Sequence, residues 1–130
     1  MRPDYYKFSI ENTDYQVIDI IDEKELSYHL GTALAYILRA GKKDFSTYKQ
    51  DLEKASTHLR FELKRLQKRN ELNAVILPHP LFTFDKLSDI FELPPQLSVI
   101  CQRLFDHTFV SQETLFDICF CLDMFIKTLD

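Results

Sequence analysis

Arg39, Lys42 and Lys43 fall within five residues, at the end of an apolar pattern of helical period. A guanidinium fork beside two ammonium groups is chemistry suited to phosphate oxygens. The same three cations would also complement the negative end of a helix dipole, so position alone leaves both roles open. The chain has two glycines, Gly31 and Gly41. A Walker loop and a dinucleotide-binding turn both need more glycines in tight spacing, so neither is present. Any phosphate must therefore be held by side chains. Asp19, Asp51 and Glu53 are the acids that could supply Mg²⁺ with one or two carboxylates alongside a phosphorylated ligand, or could simply be solvated on helix faces. Tyr5, Tyr6 and Phe8 could stack on a base, or anchor the front of the chain to the core.

Other chemistries find less support. Serine, histidine and acid do not occur in a recognisable nucleophile motif, and His58, one helical turn from Lys54, reads as a polar-face residue. Cys101, Cys119 and Cys121 lie in apolar helical sequence and should be reduced and buried. Cys119 and Cys121 would project about 200° apart on a helix, so they cannot grip one metal, and no tightly bound metal is expected.

Charge is unevenly spread. Residues 1–35 carry three basic and seven acidic groups, residues 36–70 ten and four, and residues 71–130 three and nine. A basic middle between acidic flanks suits an anion-binding patch in an otherwise acidic protein. There is no uninterrupted apolar run of membrane-spanning length, and the first ten residues are polar and aromatic rather than signal-like. A cytoplasmic location with no membrane partner is expected.

These groups must be positioned by helices. Thr13 and Gln16 have capping-box spacing, predicting a first helix over about 14–22. Ser27 caps a second, with Leu30, Ala33, Leu34, Ile37 and Leu38 on one face and Gly41 as its left-handed stop. Thr47 and Gln50 open a long amphipathic third helix over about 48–69, whose narrow seam (Leu52, Ala55, Leu59, Leu63, Leu66) fits antiparallel packing on the second helix or self-association. Pro78 and Pro80 place a linker or short extended segment at 74–82. Three further helices follow: one from Phe84 capped by Thr83, one from Pro95, and one from Ser111 with apolar coverage broad enough for it to be largely buried. The fold class expected is all-α: a compact bundle of about six helices with few or no strands. It forms a single domain over 1–130, comprising a helical half (1–70) and a C-terminal helical extension (71–130).

Several of these residues resemble a known family. Tyr5-Tyr6-Lys7, Val17-Ile18-Asp19-Ile20-Ile21, Leu30 to Lys43 with its Tyr36-Ile37-Leu38-Arg39-Ala40-Gly41-Lys42-Lys43 core, and Asp51-Leu52-Glu53-Lys54-Ala55 with Leu59 resemble the small phage-encoded nucleotide kinases that lack a P-loop, a family long catalogued as a domain of unknown function. The resemblance spans about residues 5–59. It implies a phage or mobile-element protein, in the host cytoplasm, that handles nucleoside monophosphates and a triphosphate donor with Mg²⁺. By position, Tyr6, Arg39, Lys42, Lys43, Asp51 and Lys54 match the family pattern as ligand contacts. The chain departs at Tyr5, where the family has His, and at Ala35, where it has Lys. A cation lost beside transferring phosphate weakens phosphoryl transfer, so the resemblance implies nucleotide binding with catalysis open to loss.

The leading expectation is thus a nucleotide-binding helical protein, a nucleotide kinase if active. The alternative is a non-catalytic phage-type inhibitor that blocks a host complex through its acidic C-terminal third, since acidic surfaces can occupy sites built for nucleic acid. A helix-turn-helix regulator over Leu87 to Phe105 is a third idea. The acidity of that segment opposes it, and nucleic acid is not an expected partner.

Overall fold

The computed structural model describes residues 6–42 and 47–129. The chain opens with a hairpin of β1 (Lys7–Ile10) and β2 (Thr13–Gln16), paired antiparallel with Ile10 opposite Thr13. Glu11 and Asn12 both adopt positive φ, 51° and 66°, the conformation that a two-residue turn needs to match strand twist. Phe8 and Ile10 point inward at period two, and Phe8 packs on Tyr15, Phe82 and Phe91.

This corrects the all-α expectation. The fold is mixed, with six helices and two small two-stranded antiparallel sheets among the described residues. The capping-box spacing at Thr13 and Gln16 belongs to a strand. The first helix, α1 (Val17–Glu23), starts three residues later than expected, and Asp19 accepts a hydrogen bond from the Gln16 backbone N–H at 2.7 Å.

The next two helices follow their patterns. α2 (Tyr28–Arg39) is N-capped by Ser27, and Gly41 beyond its end has φ +75°. α3 (Tyr48–Lys68) begins with both halves of the Thr47–Gln50 capping box. Its seam is buried along its whole length. The two helices run antiparallel: the Gly41 N–H meets Asp51 at one end, and at the other the Ser27 hydroxyl donates to Glu62. Gly31 lets α2 approach α1, because a Cβ there would come within 2.9 Å of Ile21 Cγ2.

β3 (Asn73–Val75) pairs antiparallel with β4 (Phe109–Ser111), placing Ala74 opposite Val110. Between them lie α4 (Phe84–Ile90) and α5 (Pro95–Phe105), and Ser111 ends β4 while capping α6 (Gln112–Lys127). One hydrophobic core runs from Phe8 to Ile126 and takes residues from every helix.

α6 packs on α3 and α5 through Leu115, Ile118, Cys119, Leu122 and Ile126. The Ser56 hydroxyl donates to Asp123 Oδ1 at 2.6 Å, and Arg60 pairs with the same carboxylate. The expectation of a largely buried α6 needs correcting, because Phe116, Phe120 and Met124 lie exposed on its outer side. Cys101 and Cys119 are buried and Cys121 half-buried, all as free thiols; burial pushes Cys119 up to about 11. Among the described residues, no helix is long and apolar enough to cross a membrane.

Candidate functional site

α1, α2 and the residue before β1 enclose a cleft of about 390 Å³. Ile18, Ile21 and Leu26 form one apolar wall, Gly31 and Ala35 give α2 a smooth surface, and Tyr6, Tyr28 and Tyr36 supply rings. Arg39 is the charged group of its lining. The volume lies in the range of small-molecule sites, which are mainly apolar with a few placed polar groups.

Arg39 is fixed by aromatic groups. Its Nη1 donates to the Tyr6 hydroxyl at 2.5 Å, and its Cζ lies 4.1 Å from the centre of the Tyr36 ring. Stacking orients the planar fork, and Tyr6 occupies one of five N–H donors. The Nε atom is buried with no acceptor among the described residues. Lys54, from α3, brings its ammonium to 5.7 Å from the Tyr36 ring. Four residues from three parts of the chain, Tyr6, Tyr36, Arg39 and Lys54, therefore meet at one end of the cleft.

Lys42 and Asp51 take no part in the cleft lining. The Lys42 ammonium donates to the Leu38 carbonyl at 2.9 Å and lies 4.8 Å from the Phe91 ring centre. Although Lys42 is exposed as a residue, its ammonium turns back among these groups. That desolvation lowers its pKa, and Glu92 partly offsets the effect. The Lys42 ammonium thus lies at the C-terminal end of α2. Asp51 is fully buried and accepts from the Gly41 N–H at 3.1 Å. Lys43 and Tyr5 lie outside the described residues.

The three acids considered for Mg²⁺ serve different places. Asp19 closes the first turn of α1, Asp51 holds the α2–α3 turn, and Glu53 borders a groove between α3 and α6. The acidic surplus of the last third is partly met within the chain: Lys24 pairs with Asp106, Arg103 with Asp117, and Arg60 with Asp123. The α4–α5 pair has a helix-turn-helix outline, but it presents exposed Asp85, Asp89 and Glu92, which repel a phosphate backbone.

Sequence reasoning missed a cluster beside the cleft. His29 on α2 and His58 on α3 meet Nδ1 to Nδ1 at 3.1 Å, ringed by Tyr28, Tyr36 and Phe61. Tyr28 and Tyr36 belong to both this cluster and the cleft. Desolvation, then the neighbouring His29, lowers the pKa of His58. The only sequence signal was an excess of aromatic and imidazole groups at positions that the antiparallel α2–α3 pairing brings together.

Residues 2–60 match the model of a family described as a protein of unknown function (DUF3310). That stretch coincides with the span of the resemblance noted above and contains every residue of the cleft lining, together with Lys54 and His58. No curated protein and no solved structure matches the chain.

Proposed function

We propose that the protein binds a nucleotide, with the base and sugar in the apolar cleft between α1 and α2 and the phosphates toward Arg39. The observation that carries this reading is the pose of Arg39, held by Tyr6 and Tyr36 at the end of a nucleoside-sized cleft with Lys54 nearby. An aromatic wall favours a flat base, and a stacked, pre-oriented guanidinium favours a bidentate anion. The resemblance to phage nucleotide kinases agrees with this assignment at Tyr6, Arg39 and Lys54.

Binding is better supported than turnover. Ala35 lines the cleft one helical turn before Arg39, at the position where the resembled family carries Lys, so a cation is missing where phosphate charge would need neutralising. With Asp19, Asp51 and Glu53 held apart, Mg²⁺ would enter chiefly on the phosphates of the nucleotide. The alternative of an acidic inhibitor draws on the last third of the chain, where ion pairs within the protein already engage Asp106, Asp117 and Asp123.

The test is thermal stabilisation of the full chain by a panel of nucleoside mono-, di- and triphosphates with and without Mg²⁺, followed by a phosphoryl-transfer assay. Stabilisation by at least one nucleotide, reduced in Tyr36→Ala and Arg39→Gln, is expected. A panel with no stabilising member rejects the reading.

A further inference from the structure

α6 buries one face in the core and leaves another uncovered. Phe116, Phe120 and Met124 are 59%, 56% and 48% exposed. They follow one another at steps of four, so they lie within about 40° of Phe120 around the helix axis. Glu113 and Lys127, seven residues before and after Phe120, fall within about 20° of it on the same face. Both are exposed, and neither has an ion-pair partner among the described residues. The acids beside the stripe differ from them: Asp117 is bound by Arg103 at 2.7 Å and Asp123 is paired with Arg60.

The stripe therefore runs acid, aromatic, aromatic, thioether, base, an order that complements itself when reversed about Phe120. We propose that a second copy of this chain covers it, through a twofold, near-antiparallel pairing of α6 with α6. In that arrangement Phe120 meets Phe120 on the axis, Phe116 meets Met124 of the other copy, and Glu113 faces Lys127 at both ends. An isologous interface requires such self-complementarity, and thioether–ring contact is favourable. A groove of about 440 Å³ between α3 and α6 borders the stripe, lined in part by Phe120, Met124 and Lys127. Parallel pairing would set Glu113 against Glu113 and Lys127 against Lys127. One helix face is small beside the roughly 800 Å² per partner of a standard interface, so a weak, reversible dimer is expected. This surface is independent of the cleft, and its dimer does not rest on nucleotide binding.

Sedimentation velocity of the full chain from about 1 to 200 µM tests the proposal. A reversible monomer–dimer equilibrium is expected, with Phe120→Glu monomeric throughout and its helical circular dichroism unchanged. Glu113→Lys and Lys127→Glu each weaken the dimer about tenfold, and the double variant Glu113→Lys/Lys127→Glu restores it. A chain monomeric at every concentration overturns the proposal. So does a dimer that Phe120→Glu leaves intact, or a double variant no tighter than the singles.

Discussion

His29 and His58 stand Nδ1 to Nδ1 at 3.1 Å across the α2–α3 seam, a contact in which one imidazole donates and the other accepts. The arrangement has room for one proton between the two nitrogens. Protonating the accepting Nδ1 as well would turn two N–H groups toward each other and make that ring a cation beneath Tyr28, Tyr36 and Phe61, with Lys54 adding positive charge at Tyr36.

The pH dependence of stability follows from this pair. Burial and His29 lower the pKa of His58 in the fold, whereas the unfolded chain takes up that proton near its ordinary value of about 6.5. The unfolded state then binds more protons as pH falls, so stability is full above about pH 6.5 and declines below it. Urea midpoints measured from pH 8 to pH 5 should fall on the acid side, and His58→Gln should flatten that decline. An unchanged slope in His58→Gln assigns the acid sensitivity to other groups.

Lys24 carries a second prediction. It is 1% exposed, and its ammonium donates to the Phe105 carbonyl at 3.0 Å and faces Asp106 at 3.9 Å. Burial lowers its pKa, with Asp106 partly restoring it. Lys24→Ala removes the donor and leaves the carbonyl without it, at a cost of about 2–3 kcal/mol. Lys24→Met fills the same volume and should cost less. Equilibrium denaturation of both variants checks the order.

Arg39 and Lys42 look interchangeable in sequence and should behave differently in solution. Arg39→Lys loses the planar stack on Tyr36 and should weaken the proposed nucleotide binding about tenfold or more. Lys42→Gln should leave affinity unchanged while lowering stability by about 0.5–1 kcal/mol, because its ammonium serves the end of α2. Titration calorimetry and urea denaturation separate the two effects.

Gly41 is a stability determinant at the turn. With φ +75° and Tyr48 Cβ 3.3 Å from where a side chain would begin, Gly41→Ala should cost about 1–2 kcal/mol from backbone strain alone. Asp51→Ala should match or exceed that loss, since it strips a buried acceptor from the same N–H. Parallel denaturation curves for the two variants provide the measurement.

The helices were legible where periodicity and caps agreed. Leu30 through Leu38 and Leu52 through Leu66 repeat at three and four residues, Ser27 and Thr47 mark the starts, and all ten seam positions are buried. The hairpin was not, because Thr13 and Gln16 have the spacing of a helix cap while the deciding feature, positive φ at Glu11 and Asn12, has no strong signature without glycine. β3 and β4 were hidden for another reason: each is three residues long and stabilised by a partner far away in sequence. In the candidate site, the resemblance named Arg39 and Tyr6 but not the contact between them. The direction of the Lys42 ammonium was not legible, because spacing fixes where a side chain starts and not where its charged end settles. The His29–His58 contact needed two helices to pair before it existed.

Lys24 also ties the front of the chain to the back through its main chain, since its carbonyl accepts from the Leu77 N–H at 3.0 Å. α3 likewise cannot lose α6 without wetting the side that α6 covers. The stretch that matches a family model thus packs against the rest of the chain. A fragment ending near residue 60 would lack the cover for its own inner surfaces, and the intact chain should absorb heat in one cooperative calorimetric peak, both halves melting together.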